Sequence, residues 1–301
     1  MKWVKRGLVI QPDTRLDWMK SHAAVPCAEH VSGDVFRVYF CSRDAQNRSQ
    51  AAYAELDLKR SEKILFMTKK PVLGLGSLGA FDDNGVTPTW VVNRGREKFL
   101  YYVGWNKGAT VRMLLFTGLA ISRDGGKSFK RFSEAPILER QANDAFLTAT
   151  LSVLREGKRW RMWYVSGDGW TKKGNETFPR YNIKYAESSD GICWQRDGAV
   201  CVNYKSGEEY ALARPCVLKD GKVYKMWYAY KSKDYRIGYA ESKDGLRWTR
   251  KDAQAGIDVS KSGWDSKMVE YPFVFEHKGK KHMFYNGNDY GKEGIGYAVL
   301  E

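Results

Sequence analysis

Apolar and polar residues alternate in short runs along the whole chain, and each run ends at a turn built on Gly, Pro or Asp. Tyr235–Arg250 shows the pattern most clearly. Tyr-Arg-Ile-Gly-Tyr-Ala-Glu-Ser alternates, breaks at Asp244-Gly245 and resumes at Trp248. A period of two predicts a half-buried strand, and Asp-Gly supplies the positive backbone angles of a tight hairpin turn. The unit recurs. Tyr185-Ala-Glu-Ser-Ser-Asp-Gly-Ile-Cys-Trp194 is nearly a copy, Leu119–Phe129 is a looser one, and Tyr53–Asp57 and Tyr297–Glu301 are shortened ones. A unit this small cannot bury its own apolar face, so the copies are predicted to stack as an array of small sheets.

Each copy also has an upstream half: an apolar strand, a turn, then a strand rich in aromatics. Arg214–Ala229 is the clearest, with counterparts at Val25–Phe40, Thr87–Tyr102, Thr150–Tyr164 and Tyr271–Tyr285. Five such pairs of hairpins predict an all-β fold, a five-bladed β-propeller with four antiparallel strands per blade, in a single domain spanning 1–301. The last unit ends one strand short at Glu301, while Lys2–Ile10 matches the outer strands elsewhere. The N-terminal strand is therefore predicted to close the last blade and leave no open sheet edge.

Composition narrows the function classes. The 301 residues are 43% hydrophobic, enough for a sizeable core, and the net charge of +15 is spread along the chain with no basic arm. That distribution disfavours nucleic-acid binding but steers anionic ligands toward the protein. The Met1–Leu16 segment is charged throughout, so neither a signal peptide nor a membrane span is expected. Five scattered cysteines without a Cys-x-x-Cys pair fit free thiols and a cytoplasmic location. Four histidines show no metal spacing, so no metal or other cofactor is expected. Gly74-Leu-Gly-Ser-Leu-Gly79 matches a dinucleotide fingerprint by letter only, because no helix follows it.

Chemistry in such an array belongs at one mouth of the central channel, on the loops entering the innermost strands and those after the second strands. Asp83 is a candidate base or nucleophile, presented by a Gly turn, and a turn-capping role carries equal weight. Glu209 is a candidate acid, with Glu270 as its rival. Arg43 and Arg214 are candidates to bind a carboxylate or phosphate in bidentate fashion, or to pair with Asp44 or Glu209. Trp105 and Trp170 are candidate sugar platforms, and His22, Asn106, Asp168 and Asn286 complete the set on the same loops. Two carboxylates flanked by aromatics and amides suit glycoside chemistry.

Ser122-Arg-Asp-Gly-Gly-Lys-Ser-Phe129 fits the Asp-box pattern, a hairpin device on the outer side of propeller blades, so Asp124, Asp190 and Asp244 are read as structural. With the repeats and the acidic loops, this motif resembles the five-bladed propeller superfamily of glycoside hydrolases: arabinofuranosidases, xylosidases, invertase-like fructosidases and mannoside phosphorylases. The resemblance implies a general acid two residues before an inner-strand Pro, which Glu270 alone matches in Glu-Tyr-Pro. It also implies an Asp directly before such a Pro, and the residues directly before the five aligned positions are Val25, Thr87, Thr150, Arg214 and Tyr271 instead. The expectation is a carbohydrate-active, glycosidase-like enzyme of polysaccharide metabolism, working on an acidic or phosphorylated glycan with paired carboxylates in the axial pocket. A glycosyltransferase or glycoside phosphorylase, and a non-catalytic sugar-binding or docking propeller, are the alternatives.

Overall fold

The computed structural model describes residues 1–61 and 63–301, and strands account for nearly all of its regular structure. The first strand, β1 (Trp3–Ile10), precedes a long series of antiparallel hairpins. β2 (Ser21–Ser32), β3 (Val35–Arg43), β4 (Ser49–Asp57) and β5 (Ile64–Met67) pair in sequence, as do β6 (Gly85–Arg94), β7 (Glu97–Asn106), β8 (Leu114–Ser122) and β9 (Lys130–Arg131). A third group holds β10 (Thr148–Glu156), β11 (Arg159–Lys173), β12 (Glu176–Ser188) and β13 (Val200–Val202). A fourth holds β14 (Ala211–Asp220), β15 (Val223–Lys231), β16 (Tyr235–Ser242) and β17 (Thr249–Arg250). β18 (Glu270–His277), β19 (Lys280–Asn286) and β20 (Ile295–Leu300) pair in turn, and β1 runs antiparallel to β20 with Trp3 opposite Leu300.

Single parallel bridges, Ser49 with Gly85 and Tyr181 with Ala211, join neighbouring groups into larger sheets. The first strands of the groups touch in a cycle: β2 meets β6, β6 meets β10, β10 meets β14, β14 meets β18, and β18 returns to β2. Large aromatics fill the space between groups. Trp3 from the N-terminal strand packs edge-on against Trp227 of the fourth group, and its indole donates to Ala255 O at 3.0 Å.

A polar tie repeats behind the second strands. The phenols of Tyr102, Tyr164, Tyr228 and Tyr285 donate to Asp82, Asp144, Asp252 and Asp265, and each aspartate also binds a cation: Arg131, Arg196, Arg250 and Lys5. Burying a carboxylate demands such pairing. The tie explains the glycine of the repeated Gly-Tyr-Ala. A Cβ at Gly238 would stand 2.7 Å from the Tyr228 ring, and one at Gly296 would stand 2.9 Å from the Tyr285 ring. The outer turns repeat as well. Asp124, Asp190 and Asp244 each accept two backbone amides of their own turn, from Lys127 and Ser128, Ile192 and Cys193, and Leu246 and Arg247. Such turns are saturated by their own amides, which leaves those carboxylates without a catalytic vocation.

Candidate active site

Every first strand breaks register near its start: at Ala24/Cys27, Pro88/Trp90, Thr148/Leu151, Ala213/Cys216 and Glu270/Phe273. A bulge re-aims side chains. In three of the five the residue before proline is forced into the left-handed region, Val25 at φ 56°, Arg214 at 52° and Tyr271 at 52°. His22, Asp289 and Tyr290 add φ values of 63°, 54° and 61° in the segments beside them. Strain of this kind persists only where packing over-determines it, and it gathers at functional sites.

The re-aimed residues surround a cavity of about 390 Å³ walled by all five groups: Val25 and Arg43, Thr87 and Trp105, Leu147 and Thr150, Ala213 and Lys231, Tyr271 and Tyr290. Four cations line it, Arg43, Lys107, Arg112 and Lys231, and none of them forms an ion pair among the described residues. No Asp or Glu is among its described lining residues. Arg43 donates to Asn47 Oδ1 at 3.0 Å, and Arg112 lies over the Phe178 ring. Lys231 Nζ donates to Tyr290 Oη at 2.7 Å and sits over the Tyr235 ring. Burial opposes the ammonium of Lys231, but the bonds to Tyr290 and its other phenol neighbours outweigh it and raise the pKa. Tyr181 and Tyr235 share a short phenol–phenol hydrogen bond, and the Tyr235 ring packs on Tyr271 and Tyr290.

Glu270 stands directly behind this wall, at the first position of β18. It is fully buried, and neither carboxyl oxygen has a hydrogen-bond partner among the described residues. Burial pushes its pKa well above the usual carboxylate range, against the pull of the Lys231 charge, of the nearby Tyr271 phenol and Tyr290 amide, and of Arg43. Burial therefore favours the protonated carboxyl over the carboxylate at this position. Burial likewise raises the phenols of Tyr271 and Tyr235, with Glu270 adding to both.

Of the residues singled out by sequence, Arg43, Trp105 and Asn106 line the cavity. The Trp105 indole donates to Thr87 Oγ1 at 2.9 Å, and Asn106 Nδ2 donates to Asp83 Oδ1 at 2.9 Å. Asp83 itself is off the lining, its other oxygen accepting Gly79 N at 3.0 Å, so it holds Asn106 and caps a turn. Glu209 is buried and bound by both terminal nitrogens of Arg250, away from the cavity, so the expected pairing of Asp83 with Glu209 across an axial pocket is not what the geometry offers. Asp168 faces Arg180 at 3.7 Å, and Trp170 packs on the apolar cluster of Val103, Leu115 and Leu147. His22 is buried beside Ser21, its Nδ1 2.8 Å from Ser21 Oγ; burial, then the Arg43 charge, pushes its pKa down to about 4.

Two residues require correction. Arg214 is fully buried on the inner side of its strand, where its guanidinium donates to Leu151 O and Pro26 O and packs on Trp90 and Phe273. It thus touches the first strands of all four other groups and has no path to a ligand. Asn286 is also fully buried; its amide donates to Ala23 O and Gly294 O and accepts Val25 N, so it pins the strained segment before Pro26. Tyr271, which precedes an inner-strand Pro, was among the residues the sequence placed at the mouth, whereas sequence reasoning missed Lys231 and the tyrosines at 181, 235 and 290 as wall residues. Lys231 carried a usable signal: like Arg43 and Asn106, it ends the second strand of its group.

An all-β array with a cation-lined axial cavity defines the class of this molecule, and comparison with solved structures agrees on the fold. A glycoside hydrolase superposes with a TM-score of 0.75 at 18% identity, covering 99% of this chain and 91% of that one. A thermostable family-43 glycoside hydrolase gives 0.69 at 14% identity, covering 97% and 93%. A glycosyl hydrolase from Bacteroides ovatus gives 0.67 at 14% identity, covering 97% and 91%. At these identities the likeness establishes a shared propeller-type fold. No family model matches the sequence. Uncharacterized protein MT1551 of Mycobacterium tuberculosis (strain CDC 1551 / Oshkosh) is 42% identical over 301 residues, the full length of both chains, and the protein belongs to that family.

Proposed function

We propose that this protein is a carbohydrate-active enzyme that cleaves or transfers a glycosyl unit on an anionic glycan, with Glu270 as the proton donor. The five hairpin groups are read as the blades of a closed five-bladed propeller, supported by the cycle of contacts from β2 round to β18 and by the pairing of β1 with β20. The observation that carries the functional reading is the place of Glu270: a fully buried carboxyl, neither oxygen hydrogen-bonded among the described residues, at the wall of a cavity lined by aromatics, amides and cations without ion pairs among the described residues. A carboxyl group kept protonated by burial is suited to protonate a glycosidic oxygen as it leaves. Ligand binding must first move the wall at Tyr271, because the acid has no exposed oxygen in the free protein. Arg43 and Lys231 meet the negative charge of the substrate, and Trp105, Phe178 and Tyr271 offer faces to the sugar. Asp83 acts through Asn106 as a positioning residue. The free state of all five cysteines supports a cytoplasmic location, and no helix is long and apolar enough to cross a membrane among the described residues.

The test is turnover of aryl glycosides of neutral and acidic sugars by wild-type protein and Glu270→Gln. Loss of about 10²-fold or more in kcat, with melting temperature retained, is expected of a general acid. Equal turnover by the two proteins would remove Glu270 from the chemistry. A second reading, a sugar-binding propeller without turnover, is favoured by the lack of carboxylates on the described lining. It predicts that glycans bind and are never cleaved by either protein.

A further inference from the structure

The fourth strands of the groups form outer edges, far from the cavity. β9 is Lys130-Arg131, β17 is Thr249-Arg250, and β13 buries two of its three residues. Charge or burial of this kind protects an edge. β5 is different, being Ile64-Leu65-Phe66-Met67. It pairs Ile64 with Leu56 and Phe66 with Glu55 of β4, which leaves Leu65 as the extra residue of a bulge. Ile64 and Met67 pack on the main core, whereas Leu65 and Phe66 stay 51% and 48% exposed. No other two adjacent large apolar side chains are both exposed among the described residues. Positive charge surrounds this tip. Leu58–Pro71 carries five cations and one acid, Glu62. Lys59 stands 3.1 Å from Asp34, while Arg60, Lys63, Lys69 and Lys70 are exposed and form no ion pair among the described residues. Trp18, half-buried, donates its indole N–H to Lys69 O at 3.0 Å, which places an amphipathic ring beside the lysine pair.

We propose that this edge docks on an anionic lipid surface, with Leu65 and Phe66 entering the boundary between headgroups and acyl chains and the four exposed cations meeting lipid phosphates. An apolar tip ringed by cations combines the two forces that hold a protein on such a surface, burial of apolar area and attraction to anionic headgroups. A second copy of the chain fits poorly, because pairing two β5 edges would set two strongly positive segments against each other. The bulge at Leu65 interrupts the regular ladder that an added peptide strand would extend. A nucleic acid would engage the cations and leave the apolar pair without a role. The surface is separate from the cavity, since β5 stands three strands out from β2, which carries Val25 of the cavity wall.

The test is co-sedimentation of the full chain with vesicles of phosphatidylcholine alone and of phosphatidylcholine with one-third phosphatidylglycerol. Binding is expected to the second only, weakening as salt is raised. Lys69→Gln with Lys70→Gln is expected to weaken it by about tenfold or more, each cation near an anionic surface contributing about fivefold. Leu65→Ser with Phe66→Ser is expected to weaken it by about tenfold, with melting temperature retained. Leu65→Trp is expected to tighten it, a gain that misfolding cannot produce. Absence of binding, equal binding to both vesicles, or equal binding by all variants overturns the proposal. Loss in the lysine variant with no change in either apolar variant also overturns it, and reduces the effect to general attraction by a protein of net charge +15. A dimer formed without lipid and abolished by Leu65→Ser with Phe66→Ser overturns it in favour of a second copy.

Discussion

Arg214 and Glu270 are two fully buried ionisable side chains on equivalent stretches of neighbouring repeats, one just before Pro215 and the other two residues before Pro272. They are handled in opposite ways. Around Arg214 the fold supplies two carbonyl acceptors from other groups and two aromatic faces, leaving its Nε alone without a partner among the described residues, so the guanidinium ties five first strands together. Around Glu270 it supplies no hydrogen bond to either oxygen among the described residues. A solved burial stabilises, and an unsolved one stores reactivity. The same stretch of the repeat therefore serves as an axle in one group and as a site in the next.

The sharpest way to break this contrast is to remove the axle. Arg214→Ala opens a cavity shared by five strands and loses both carbonyl bonds, and we expect a loss of about 3–5 kcal/mol, read by denaturant unfolding. Arg214→Met, which fills the space and abolishes the desolvation cost, is expected to lose less than half as much. Equal losses in both would mean that charge rather than packing makes the tie.

At the other pole, Glu270→Gln is expected to change stability in the opposite direction at alkaline pH. The folded pKa is raised above the ordinary value of 4.5, so the native state holds a proton that the unfolded chain releases. The stability linked to that proton is fully present below pH 4.5 and is lost as pH rises through the folded-state pKa. The variant lacks this slope, and its melting temperature relative to wild type should climb across that range. A flat difference from about pH 4 to 9 would show that Glu270 is ionised in the fold.

These two residues also show what a single sequence can disclose. The all-β architecture was legible because period-two alternation and Asp-Gly turns act locally, and five copies of one pattern reinforce each other. Glu270 was legible as a candidate because of its spacing from Pro272. The interior fate of Arg214 was not, because whether a pre-proline side chain turns toward the mouth or the interior is decided by its bulge and by four other strands. Likewise Asp82, Asp144 and Asp265 stand on entry loops where acids for catalysis were sought, yet their partners Tyr102, Tyr164 and Tyr285 lie twenty residues downstream on second strands. Only the repetition of Gly before Tyr-Ala carried a trace of that tie.

The repeated tie gives a smaller prediction. Gly238→Ala places a methyl 2.7 Å from the Tyr228 ring, which is held by Asp252 and cannot retreat without breaking that bond. Overpacking of this kind costs about 1–3 kcal/mol. Tyr228→Phe should recover little, since the ring remains, whereas pairing Gly238→Ala with Tyr228→Leu should recover much of it. Additive losses in the double variant would mean that the glycine serves backbone flexibility rather than room.

The smallest effect belongs to His22, which shares the strained first-group wall with Arg43. Its folded pKa of about 4 lies below the ordinary 6.5, held down by burial, then by the charges of Arg43 and Lys292, with Asp289 pulling the other way. Here the sign is the reverse of that at Glu270. The unfolded chain takes up a proton that the folded one refuses, so stability is full above pH 6.5 and falls as pH drops toward 4. His22→Gln cannot charge and should remove that part of the acid sensitivity. Comparing the pH-stability curves of wild type, His22→Gln and Arg43→Ala separates the causes. If Arg43→Ala alone raises the midpoint of the wild-type loss, the Arg43 charge reaches His22 across the wall and contributes to keeping it neutral. If the midpoint is unmoved, burial accounts for the whole shift and the positive charge of Arg43 is directed wholly into the cavity.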